Sequence, residues 1–201
     1  MRHGPAACCI LRNVHDHFDF QALWVIQPGH LQPDRARYDI FDPDRKLLAS
    51  ATQVERRSRF NRVSRPMPDM SVLELTTPDG DPLLSIIRQH AEWVTEIQDP
   101  AGVVVGRIRT GDTRRNYTIL DETGQTVGKV TGDLGLKKFV VADSGGGRIA
   151  QVRKTRAGLF KEMLTSNDHY KIEFTGPVPA AVRTLTALVP IVLDLTLYEP
   201  E

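Results

Sequence analysis

Asp99-Pro100-Ala101-Gly102 and Asp121-Glu122-Thr123-Gly124 stand 22 residues apart. The same step leads back to Thr77-Pro78-Asp79-Gly80 and forward to Asp143-Ser144-Gly145-Gly146, with no gap in the register. Asp offers a side-chain acceptor to the turn backbone two residues on, and Gly takes the positive φ that a tight turn requires. The flanks agree as well as the turns. Two positions upstream lie Leu75, Ile97, Ile119 and Val141; four upstream lie Leu73, Thr95, Tyr117 and Phe139. Three residues past each glycine come Leu83, Val105, Val127 and Ile149, followed by Leu84, Gly106, Gly128 and Ala150, then Ile86, Ile108, Val130 and Val152 two further on. A looser fifth copy begins at Asp42, with Tyr38 and Ile40 before it, Arg45 in place of the glycine, and Leu48-Ala49 after it. Alternation, a turn and alternation again is the pattern of a β-hairpin.

A fixed period dictates architecture before any single motif does. Five hairpins make ten strands. Residues 21–27 (QALWVIQ) read as a strand ahead of the first unit, and residues 168–174, with Tyr170, Ile172 and Phe174 on one face, read as the first half of a sixth. About twelve strands suit a closed antiparallel sheet that leaves no edge exposed. Short helical turns are expected over 56–61 and 158–164.

After Pro179 the pattern changes. Residues 180–198 carry no turn signal except Pro190, and 185–193 are apolar on every side apart from Thr186. Such a stretch is a buried helix, about 28 Å long at 1.5 Å per residue. Pro190 predicts a kink or a break, since proline costs a helix interior about 3 kcal/mol. The uncharged run between Arg183 and Asp194 is ten residues, against the ~20 needed to span a bilayer, so no transmembrane span is expected. A barrel of this size cannot fill its interior with wall side chains alone. The expected fold is therefore mainly β: a closed antiparallel β-barrel of about twelve strands, built from 22-residue hairpin repeats, with a buried hydrophobic C-terminal helix through it. Residues 21–199 form that single domain, and 1–20 form a flexible N-terminal tail.

Composition fits this reading. The 201 residues carry 26 Lys+Arg against 25 Asp+Glu, with 40% hydrophobic, 25% charged, 15 Gly and 13 Pro. A net charge of +1 excludes a protein that binds nucleic acid by being basic overall. Two cysteines cannot build a disulfide scaffold. Cys8 and Cys9 are adjacent, without the gap that lets two thiolates converge on a tetrahedral ion, so they and the nearby His15 and His17 are assigned no metal. The short apolar run at 6–11 is no signal peptide.

Catalytic patterns are missing: there is no G-x-S-x-G, no H-E-x-x-H and no phosphate loop, and the glycines, Gly145-Gly146-Gly147 included, recur as turns. His30, His90 and His169 stand apart from obvious partners. No enzyme and no cofactor is expected. Basic residues carry the better signal. Arg56, Arg57, Arg59, Arg62 and Arg65 place five guanidinium groups in ten residues, and Arg153, Lys154, Arg156 and Lys161 make a second group. Residues 37–66 hold eight basic and four acidic side chains, while 67–150 hold nine basic and twelve acidic. Arginine donates to phosphate bidentately, and basic residues near an anionic membrane gain about 1 kcal/mol each. Both clusters are candidate contacts for a lipid headgroup; exposed, solvated loops are the alternative.

Beyond the repeat, the stretch Lys154-Thr155-Arg156-Ala157-Gly158-Leu159-Phe160-Lys161-Glu162-Met163-Leu164-Thr165, then Asn167-Asp168-His169-Tyr170, then the apolar helix ending Leu193-Asp194 and Tyr198-Glu199, resembles the LURP-one-related and phospholipid scramblase family. The resemblance extends from about residue 23 to 199 and is closest to the family's uncharacterised bacterial branch. It implies the Tubby C-terminal-like fold, a twelve-strand barrel around a hydrophobic helix. It also implies a link to phospholipid: scramblases are associated with calcium-dependent lipid movement and Tubby domains with phosphoinositide headgroups. In scramblases an acidic calcium loop precedes the helix. Here Ser166 and Pro177 occupy its first and last acidic positions, leaving Asp168 the only matching carboxylate. Calcium takes about six to eight oxygen ligands, so no metal is expected.

The functional expectation is a non-enzymatic scramblase-like protein, cytoplasmic and peripheral at the inner face of the plasma membrane. Its partner would be anionic phospholipid, held through the two basic clusters. The alternative is a protein-interaction module of the same fold with no lipid role. A fragment of a YD-type repeat shell fits less well, because the terminal apolar helix has no place in one. Nucleic acid would require more stacking aromatics beside the arginines.

Overall fold

The computed structural model of the chain describes residues 14, 16–28, 36–56, 70–89, 93–155 and 169–197. Twelve strands run in order: β1 (Ala22–Ile26), β2 (Arg37–Phe41), β3 (Leu47–Arg56), β4 (Met70–Thr76), β5 (Pro82–Gln89), β6 (Val94–Gln98), β7 (Val104–Thr110), β8 (Asn116–Asp121), β9 (Thr126–Gly132), β10 (Lys138–Asp143), β11 (Arg148–Thr155) and β12 (His169–Phe174). Each pairs antiparallel with its neighbours in sequence, and β1 pairs with β12, from Ala22↔Glu173 to Ile26↔His169, which closes the barrel. The expected fold is the observed one. The helical turns expected over 56–61 and 158–164 lie outside the described residues, apart from Arg56, which ends β3.

All five repeat turns share one backbone. The amide of Gly102 donates to the carbonyl of Asp99 (2.9 Å), and the amide of Asp99 donates to Val103 O (2.8 Å). Equivalent pairs close the turns at Thr77, Asp121, Asp143 and Asp42. Gly80, Gly102, Gly124 and Gly146 have φ between 79° and 92°, and Arg45 takes φ 67° where the fifth copy lacks its glycine. Above each turn sits a β-bulge at the same place in the repeat, between Ile40/Phe41, Leu75/Thr76, Ile97/Gln98, Ile119/Leu120 and Val141/Ala142. The extra residue explains why neighbours such as Leu83-Leu84, Leu48-Ala49 and Ile149-Ala150 are both buried, which strict alternation forbids.

Past the bulge, four of the five hairpins set a large side chain opposite a small residue: Ile40↔Ala49, Ile97↔Gly106, Ile119↔Gly128 and Val141↔Ala150. Inside the wall lies α1 (Ala180–Leu197), fourteen of whose eighteen residues are buried. At Gly106 the fit is tightest, since a Cβ there would come 2.7 Å from Leu185 Cδ1 and 2.8 Å from Leu120 O. Among the described residues α1 is the helix long and apolar enough to cross a bilayer, and it is packed inside the barrel. Of the two outcomes expected at Pro190 the break does not occur, because α1 runs unbroken through it. The surrounding wall holds the segment in place, and burial on all sides outweighs the lost hydrogen bond. The buried residues form one cluster, and it includes Val14 and Phe18 from the stretch assigned to the tail.

Candidate functional site

Because every strand crosses the whole wall, the connections fall alternately at two ends, and the two ends differ in charge. The five repeat turns, residues 42–46, 77–81, 99–103, 121–125 and 143–147, gather at one end and hold eight acidic side chains against Arg45 and Lys46. There the turn carboxylates cap backbone amides. Asp99 Oδ1 accepts from Ala101 N (2.9 Å) and Val103 N (2.8 Å), and Asp143 Oδ1 from Gly147 N (2.8 Å). Asp121 Oδ1 accepts from the Thr123 hydroxyl (2.7 Å) and from the amides of Thr123 and Gln125 (2.9 Å each). These bonds, the Thr123 hydroxyl first, hold its carboxyl below the ordinary 3.8. The contact four residues on, which the two-residue reading omits, recurs in all these turns.

At the opposite end the described turns carry Arg114, Arg115 and Lys137 against Asp112 and Asp133. The strand ends beside them add Lys138, Arg153 and Lys154, and β3 closes on Glu55 and Arg56. Asp133 is itself held below its ordinary 3.8, first by the amide of Lys137 (2.9 Å) and further by the charges of Lys137 and Lys138. Neighbouring tips are joined by main-chain hydrogen bonds: Thr110 N to Trp93 O, Gly132 N to Arg115 O and Lys154 N to Lys137 O, each 2.7 Å. Arg114 lies over the Trp93 ring at 5.9 Å. These linked turns form a continuous rim along β6 to β11.

The residues expected from sequence divide as follows. Arg56 is the last residue of β3, and Arg153 and Lys154 lie at the close of β11; both strands finish at the basic end, four places apart in the barrel order. Arg153 is exposed, and Lys154 Nζ sits 5.6 Å from the Tyr170 ring centre. Arg57, Arg59, Arg62, Arg65, Arg156, Lys161 and Asp168 lie outside the described residues. What the sequence reading missed is the middle of the rim, Trp93, Arg114, Arg115, Lys137 and Lys138. A signal was there: the turns at 111–115 and 133–137 keep the same 22-residue step. Arg114 and Leu136 occupy corresponding positions with φ 52°.

Beneath this rim the helix ends in polar contacts. Asp194 is buried and accepts from the Tyr38 hydroxyl (2.7 Å) and the Tyr170 hydroxyl (3.2 Å), while Arg88 Nη1 donates to Leu195 O. His169, the first residue of β12, is also buried. The other end of the helix is held by Arg183, which donates to Phe20 O (2.6 Å) and lies 4.6 Å from the Phe174 ring. A cleft of roughly 600 Å³ lies at the acidic end, lined by Asp16, His17, Phe20, Lys46, Asp79 and Asp81 among others. Among the described residues no three His, Cys, Asp or Glu side chains are placed to hold a metal.

Comparison with known proteins adds the lineage. An X-ray structure of a protein from Arabidopsis thaliana superposes with a TM-score of 0.51, covering 86% of this chain and 93% of that one at 12% identity, which is a likeness of fold. No curated protein sequence matches. The Scramblase family model matches residues 70–200, from β4 through the end of the core helix. That match takes in most of the barrel wall and all of α1, and the chain belongs to the Scramblase family.

Proposed function

We propose that the protein is a non-enzymatic module that associates peripherally with anionic phospholipid through the basic end of its barrel, at the inner face of the plasma membrane. The observation that carries this reading is the separation of charge along the barrel axis, with acidic turns at one end and basic turns at the other. A near-neutral chain arranged in this way presents one face that attracts a phosphate-bearing surface and one that is repelled by it. Family membership supports the lipid class of the partner. The headgroup contacts are Arg153 and Lys154 together with Arg56, Arg57, Arg59, Arg62, Arg65, Arg156 and Lys161, whose segments leave strands that end at the same side. No cofactor or metal is required, because the role asked of the site is charge pairing rather than bond cleavage.

Co-sedimentation with vesicles of phosphatidylglycerol in phosphatidylcholine tests the reading. Binding should grow with the anionic fraction and weaken as salt shortens the reach of the charges, from about 10 Å at 0.1 M to about 3 Å at 1 M. Arg153→Glu combined with Lys154→Glu should reduce it. Indifference to anionic lipid at low salt would sink the proposal and favour a protein-interaction module on the same fold.

A further inference from the structure

Few large apolar side chains are exposed among the described residues, and they are unevenly placed. Val54, Trp93 and Leu134 lie at or near the basic end, and only Val103 lies at the acidic end. Leu134 is 89% exposed at the tip of the β9–β10 turn, and Trp93 is 53% exposed just ahead of β6. Leu134 stands between Asp133 and the Lys137-Lys138 pair, and Trp93 carries Arg114 over its ring. Three strand spacings separate them along the rim, about 14 Å at 4.8 Å per strand. The main-chain bonds from Trp93 to β7, from Arg115 to Gly132 and from Lys137 to Lys154 hold both tips in one frame.

A leucine at a turn tip gains nothing from water, whereas tryptophan and leucine flanked by basic residues suit the boundary between headgroups and acyl chains. We infer that the basic end is a bilayer-docking rim, with Trp93 and Leu134 entering the interface of an anionic phospholipid membrane while Arg115, Lys137, Lys138 and Arg153 meet its headgroups. The barrel then stands on this end, with the acidic turns facing away from the membrane. This rests on the anionic-lipid reading above and adds to it an orientation and an apolar component that salt does not screen.

The chain has two tryptophans, so Trp24→Phe leaves Trp93 as the sole tryptophan, whose emission is read with selective excitation of indole over the tyrosines. With phosphatidylglycerol-containing vesicles its emission should shift to the blue, and lipids brominated near the headgroup should quench it. Leu134→Ser and Trp93→Ser should each lower the vesicle partition coefficient roughly tenfold, as expected for losing one large apolar contact. Val103→Ser, at the other end, should leave it unchanged. If vesicles are bound while Trp93 stays unquenched and Leu134→Ser has no effect, the rim is wrong and the lipid reading survives. If anionic vesicles are not bound at low salt, both fail.

Discussion

A positive φ at one position is common to the five copies of the repeat turn. Four glycines sit at positive φ with open space around Gly80, Gly124 and Gly146, so an added methyl there meets no neighbour and its cost is conformational. Gly124→Ala should destabilise the protein by about 1–2 kcal/mol, seen as a fall of a few degrees in Tm; an unchanged Tm would contradict the turn assignment. In the fifth copy Arg45 bears the same strain, and its guanidinium stacks 4.1 Å over Trp24. The turn carboxylates add a dependence on pH. Asp121 and Asp133 are held below 3.8 in the folded chain, by the Thr123 hydroxyl and by the Lys137 amide respectively. A group whose folded value is depressed stabilises the fold above its unfolded value, and that contribution is lost as pH falls through the folded one. Acid unfolding curves should therefore show a loss of stability below about pH 3.8 that is reduced in Asp121→Ala and Asp133→Ala.

At the scale of elements, the question is how an apolar helix is seated in a wall of hairpins. Gly106 faces Ile97 across the β6–β7 pair and leaves room for Leu185. Gly106→Val should cost about 1–3 kcal/mol through overpacking, measured by denaturant unfolding, and Leu185→Ala in that background should restore part of the loss. At the far end of α1 the contacts are polar. Tyr38→Phe removes a donor from buried Asp194 and should destabilise by about 1–3 kcal/mol, whereas with Asp194→Leu already present the same change should cost little. Equal costs in the two backgrounds would show that the hydroxyl acts by packing. Hairpins and helix were legible because period and alternation are local. The bulge was not: Leu83-Leu84 and Ile149-Ala150 look like breaks in a pattern until pairing shows one strand a residue longer than its partner.

For the whole molecule, charge is the property that folding rearranged. Along the chain the excess of basic residues falls in 37–66 and the acidic excess in 67–150, which suggests an early basic segment and an acidic middle. The barrel sorts them otherwise, since that acidic middle contributes Arg114, Arg115, Lys137 and Lys138 to the basic end. Reversing the rim with Lys137→Glu and Lys138→Glu should weaken binding to phosphatidylglycerol vesicles and flatten its salt dependence, while both substitutions at exposed sites leave Tm nearly unchanged. The sequence by itself determined the twelve strands, their antiparallel order and the buried helix, because hairpin turns and periodic burial depend on neighbours along the chain. Only the tertiary structure decided which side chains share an end. In an up-and-down barrel, residues one repeat apart return to the same end, while those half a repeat apart stand at opposite ends. A count along the chain averages the two, and the antiparallel packing of successive strands side by side separates them.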